Sequence, residues 1–392
     1  MAAILYVASL IVLVWIFWAG GAQAGGVSPG LPLLRRTIAR RGRPSEGGTR
    51  MNTTLEPRNS PSLRQETRPQ SIRPHRTQRD NRWAATCATA GAAVWAGIAV
   101  LARAAIAPLG AIELLFLFAP LVIVPLGMEL SREIAGSDPL NSIARRLQPP
   151  GAALAVLAMW LPPGRRAGLA AMGWLLVCLL LAGSGVVDLV RALWTDAKSL
   201  RAMRFVVDMA GFDLAVGGVW LVASRLGMRP MGIQEPIGLL TAVHFHFAGF
   251  ATAIIAATTL QSAERRGEHL WLKYLAPLVA GLPCAVAAGF VLSPVLKMVA
   301  ALLFSISVAA LAMAVRACGR KAEADPARIL LQVAAGAIFA GMVLAGAYLI
   351  ADYAGSDALT IPQMARTHGI LNAIGFCLPG LLGWLVETSR RP

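Results

Sequence analysis

The sequence predicts an all-α polytopic membrane bundle of about ten spans, preceded by a basic segment and by one further apolar run read as an anchor helix. Three observations predict it. The 392-residue chain is 56% hydrophobic but only 14% charged, with mean hydropathy +0.62, whereas a soluble chain carries about 25% charged residues. Apolar runs recur at close to the ~20 residues that a helix needs to cross ~30 Å of hydrocarbon. Between those runs the basic residues fall in alternate loops.

Taken in order, residues 1–24 hold an apolar run with Trp15 and Trp18. Ala22-Gln23-Ala24 resembles a signal-peptide cleavage site, but the basic n-region is missing and the arginines follow the run, which favours an uncleaved anchor. A start at Met51 is the third reading. Residues 25–82 contain thirteen Arg and no Lys from Arg35 to Arg82, against Glu46, Glu56, Glu66 and Asp80. Rich also in Pro, Ser and Gly, this segment buries too little apolar surface to offset its ordering entropy and is expected to be disordered. The plain reading is a solvated tether held inside by its charge, the sharper one attraction to anionic lipid headgroups, and no nucleic acid is expected, since no aromatics interleave with the arginines.

The bundle is assigned to residues 83–390, with spans at 84–101, 111–129, 151–162, 168–190, 205–224, 237–260, 272–292, 294–315, 329–350 and 364–387. The run 151–162 is short, so a re-entrant segment is the alternative to a crossing. Loop charge decides for crossing. If it crosses, sixteen basic residues, from Arg132 through Arg391, share one side, and six, Arg103, Arg165, Arg166, Arg225, Arg229 and Arg366, share the other. By the positive-inside rule the Arg-rich segment and the C-terminus are then cytoplasmic, in the cell membrane. Trp83, Trp194, Trp271, Tyr274 and Trp384 fall at expected inner interfaces, with Trp160, Trp220 and Tyr348 near outer ones. The five cysteines form no CxxC pair and read as small buried hydrophobes.

Polar groups within spans cost about 2.5–3.5 kcal/mol near a helix centre, so each needs a reason. His244 and His246 lie two apart in the sixth span, and at ~100° per residue they point to different sides. His368 and Asn372, four apart in the last span, share a face. Thr360 and Gln363 have capping-box spacing and mark that span's start. Asp213, midway along the fifth span, falls within about a turn of the depth of His246. Convergence of His244, His246, His368, Asn372 and Asp213 would make an outer-leaflet cavity for a small ligand, ion or proton. The three histidines would also suit a transition metal or haem iron. Interhelical hydrogen bonding is the competing reading for each residue. Glu113 and Arg103 are expected to pair. A faint likeness relates His246-Phe-Ala-Gly-Phe250 to Asn372-Ala-Ile-Gly-Phe376, which chance explains, since Gly-Phe pairs are common in membrane helices.

The segments His244-Phe-His-Phe-Ala-Gly-Phe250 and His368-Gly-Ile-Leu-Asn-Ala-Ile-Gly-Phe376, in their multi-span context, resemble the YndJ-like family of bacterial membrane proteins. The likeness covers about Trp83 to Glu387 and leaves residues 1–82 as an extension. It implies a bacterial inner-membrane protein with His244, His246, His368 and Asn372 as motif positions, and it implies no reaction.

Three functional readings follow. The first is a polar cavity that binds or moves a small ligand, ion or proton. The second is a membrane-embedded metal or haem enzyme with Asp213 as acid or base. The third is a structural or assembly role. The absence of a P-loop, Gly-x-Ser-x-Gly, HExxH or CxxCH motif argues against ATP-driven transport, serine hydrolysis, zincin proteolysis and c-type haem attachment.

Overall fold

The computed structural model describes residues 78–136, 138–194, 202–269, 271–355 and 360–390. The anchor and nearly all of the Arg-rich segment lie outside these. Ten helices account for almost all of the described chain, and no strand occurs among the described residues. They are α1 (Gln78–Arg103), α2 (Ala111–Ala135), α3 (Pro139–Trp160), α4 (Arg165–Trp194) and α5 (Ala202–Leu226). After them come α6 (Ile237–Arg266), α7 (Leu272–Leu292), α8 (Pro294–Arg320), α9 (Asp325–Tyr353) and α10 (Ile361–Ser389). The chain is an all-α polytopic membrane bundle. Nine of the ten are long and apolar enough to cross a membrane, the exception being α3.

The α3 helix corrects the reading of 151–162 as a short run. It is continuous for 22 residues, about 33 Å at ~1.5 Å per residue, with Pro149 and Pro150 inside it. Asp138 caps it, accepting from the backbone NH groups of Leu140 at 2.8 Å and Asn141 at 3.2 Å. It lies antiparallel along α4. Asn141 bonds Ser184 at 2.9 Å near one end, and Leu154 packs on Gly173 towards the other. A helix that matches α4 over most of its length is no re-entrant stub. Its hydropathy is low because Arg145, Arg146 and Gln148 occupy its first half, where Glu129 pairs Arg145 at 3.2 Å and Gln148 donates to the Pro120 carbonyl at 2.7 Å.

Ion pairs and hydrogen bonds tie the basic loops together at one end. Lys321 meets Glu268 at 2.6 Å, Arg266 lies 3.9 Å from Glu387, and the Thr388 hydroxyl donates to Glu133 at 3.3 Å. At the opposite end the Gly164 NH donates to the Arg225 carbonyl at 2.7 Å, and Lys297 pairs Asp352 at 3.0 Å. Two sequence expectations change here. Glu113 turns back to accept from the Gly110 NH at 3.0 Å, starting α2, instead of pairing Arg103. Trp384 is wholly buried and faces the bundle, not a headgroup region. Position near a helix end fixes depth but not face.

Within the bundle, α2, α5 and α6 are buried over most of their length, whereas α1 and α9 are buried over less than a third. Three helices depart from α geometry. A π-helical segment occupies Ala119–Ile123 in α2 and Phe245–Ala251 in α6, and α10 carries two, Ala365–Gly369 and Leu371–Cys377. A π turn holds an extra residue, reaches to the i→i+5 bond and is found disproportionately at functional sites. Both histidine motifs therefore sit on distorted helix.

Candidate functional site

The two histidines of α6 diverge. His246 is fully buried, and both ring nitrogens are engaged: Nδ1 donates to the Ala242 carbonyl at 2.7 Å, and Nε2 accepts from the Trp174 indole at 2.9 Å. A carbonyl partner requires the Nδ1–H tautomer, which leaves Nε2 as the acceptor. Trp174 stacks on the ring at 6.0 Å between centroids, and Phe116 meets it edge-on at 5.0 Å. Trp174, 72 residues away on α4, was not singled out from the sequence. Nothing in α4 distinguishes it from an ordinary core aromatic.

His244 points elsewhere. Its ring meets Phe304 of α8 edge-on at 6.1 Å, and its Nε2 is buried with no hydrogen-bond partner. On α10 the His368 Nδ1 donates to the Gly341 carbonyl at 2.9 Å, while its Nε2 accepts from the Asn372 amide at 2.9 Å. The Asn372 Oδ1 remains buried and without a partner. Close packing of α6 on α10 at their π segments, with Gly380 against Ile255 further along, runs the two helices parallel and sets His244 level with His368.

Asp213 stands apart from these groups. It packs against Gly249, while Gly217, one turn along α5, packs against His246. Asp213 is fully buried. Its Oδ1 accepts from the Cys284 thiol at 3.3 Å, and its Oδ2 has no partner. Cys284, read from the sequence as a small hydrophobe, is thus a donor to the carboxylate.

The five sequence candidates accordingly divide into three places: His246 locked against Trp174, Asp213 with Cys284, and His244 beside His368 and Asn372. This geometry places the three histidines proposed as a metal centre apart. No group of three His, Cys, Asp or Glu able to hold a metal ion occurs among the described residues, and His246 and His368 have both nitrogens committed. Of the three histidines, only His244 keeps a ring nitrogen free of protein partners.

A family model described as YndJ-like protein matches residues 114–376, more than half of the chain. A curated relative, the "Uncharacterized membrane protein YndJ" of Bacillus subtilis (strain 168), is 26% identical over 178 residues, covering 45% of this chain and 32% of the relative. The chain thus spans about a third of that relative's length. No solved structure matches it. The matched region runs from within α2 to the middle of α10 and contains every candidate residue discussed above.

Proposed function

The chain belongs to the YndJ-like family of membrane proteins, and from that premise we propose that this integral membrane protein binds and moves a proton or small monovalent cation through its polar interior. One observation carries the proposal: the fully buried Asp213 has an Oδ2 with no hydrogen-bond partner. An isolated carboxylate in a low-dielectric interior is costly unless a positive charge compensates it, and a proton or small cation supplies one. His244 Nε2 and Asn372 Oδ1 add two further buried, unpartnered polar atoms. Together they suit a path for a small hydrogen-bonding species and not a packed core. The orientation that goes with this reading puts the basic loops, the Arg-rich segment and the C-terminus in the cytoplasm, with the Arg-rich segment against anionic headgroups.

The test is flux into proteoliposomes that hold a pH- or cation-sensitive dye. Wild type is expected to carry H⁺, Na⁺ or K⁺ faster than empty vesicles, and Asp213→Asn to lower that rate at least tenfold while eluting as the same detergent-solubilised species. Wild-type rates equal to those of empty vesicles for all three ions would overturn the proposal.

A further inference from the structure

Three of the four π segments recur at a fixed spacing. They begin at Ala119, Phe245 and Leu371, 126 residues apart each time. The helix before each one packs on it through a glycine within two residues of the same register. A Cβ on Gly91 would come within 1.9 Å of the Leu121 carbonyl oxygen, one on Gly217 within 2.6 Å of His246 Nδ1, and one on Gly341 within 2.8 Å of Asn372 Oδ1. A second contact pair repeats as well: Gly249 packs on Asp213, and Gly375 packs on Ala337. The helices themselves fall into register, with α3–α6 followed by α7–α10. Each set is three helices packed in sequence and then a π-bent fourth. α1 and α2 correspond to the last two helices of such a set.

We infer that the bundle is a tandem repeat of about 126 residues, and that Pro120, His246 and Asn372 are one position in three copies, of which the copy at Asn372 is the open, specificity-determining one. The likeness between His246-Phe-Ala-Gly-Phe250 and Asn372-Ala-Ile-Gly-Phe376 is on this view a remnant of the repeat. Four consecutive helices per unit return the chain to the same side, so the units are parallel, and parallel units place their shared site where they meet. The three π-bent helices do meet there, for α2, α6 and α10 pack on one another.

The copies have diverged in what they offer. In the first, the apolar Pro120 stands at the position. In the second, His246 is sealed by the Trp174 indole and the Ala242 carbonyl. In the third, Asn372 spends its amide on His368 and keeps its Oδ1 unpartnered. Asp213 breaks the symmetry in the other direction, because its counterpart Ala337 carries no charge. The repeat rests on geometry alone, whereas the role of Asn372 rests on the function proposed above.

The test exchanges equivalent segments in the full-length protein. One chimera carries the sequence of Leu371–Cys377 at positions 245–251, and the other carries Phe245–Ala251 at positions 371–377. Scrambled heptads serve as controls. Equivalence predicts that both chimeras elute as monodisperse species and melt within about 10 °C of wild type, while the scrambled controls aggregate. If chimeras and controls fail alike, the single exchanges His246→Asn and Asn372→His decide. Melting within about 3 °C of wild type supports equivalence, and collapse of both overturns it. Cation flux is read separately on every folded variant. A folded Asn372→His with unchanged ion preference removes the role of Asn372 and leaves the repeat standing.

Discussion

His246 and Asp213 are both completely buried, yet they meet burial in opposite ways. His246 is satisfied on every polar atom, so its role is to join α6 to α4. Asp213 has one oxygen unanswered. From the sequence the two looked alike, because helical period gives a residue's face but not its neighbour. The partners Trp174 and Cys284 lie 72 and 71 positions away and carry no local signal. The difference gives a prediction. Trp174→Phe strands the His246 Nε2 without a donor, a loss of about 1–3 kcal/mol for a buried acceptor. Asp213→Asn removes the buried ionisable group and leaves shape intact. Thermal unfolding in detergent is expected to show a lowered midpoint for Trp174→Phe and an unchanged or raised one for Asp213→Asn. An unshifted Trp174→Phe midpoint would show that the indole is not what holds His246.

At the scale of elements, hydropathy was informative for nine helices and weak for α3, whose polar first half faces protein. The π segments were not legible at all. Spans that are apolar on every side have no period from which an extra residue per turn would stand out. The Thr360 start of α10 was legible, because capping is a local event, and the Thr360 NH does donate to Gln363 Oε1 at 2.8 Å. The cap of α3 is the more consequential one. Burial works against charge on the Asp138 carboxyl, but hydrogen bonds from Ser184, from the Asn141 and Leu140 backbone and from the Asn141 amide outweigh it and hold the group below its usual range. A lowered carboxyl pKa adds stability that is present above the unfolded-state value of about 3.9 and is lost as pH falls towards the folded one. Asp138→Ala should therefore cost about 1 kcal/mol at neutral pH. Melting curves should also show a shallower acid-side loss of stability than wild type below about pH 4. Parallel acid branches in the two proteins would mean that the cap carries no charge-dependent share.

For the whole molecule the sequence was most informative where charge is concerned, since alternation of basic loops depends only on counting helices. What it could not supply was that these loops touch. Lys321 reaches Glu268, whose carboxyl is held below its usual range first by that hydrogen bond, and Arg266 reaches Glu387. These contacts join the ends of α6, α8 and α10 in one layer, and the Thr388 hydroxyl on Glu133 adds the end of α2, which needs α3 to cross. With ten crossings, the start of α1 and the end of α10 lie on the same side. The basic layer then favours the cytoplasmic face, where anionic lipid adds about 1 kcal/mol per nearby Lys or Arg. A fluorescent protein fused after Pro392 is accordingly expected to fluoresce in intact cells, and alkaline phosphatase fused there to be inactive. Fusions placed in the α3–α4 turn near Gly164 should show the reverse. An active phosphatase at the C-terminus would invert the bundle and move the Asp213 site to the other leaflet. A fusion near Gly136, between α2 and α3, should match the C-terminus, and the opposite signal there would instead remove α3 from the count of crossings.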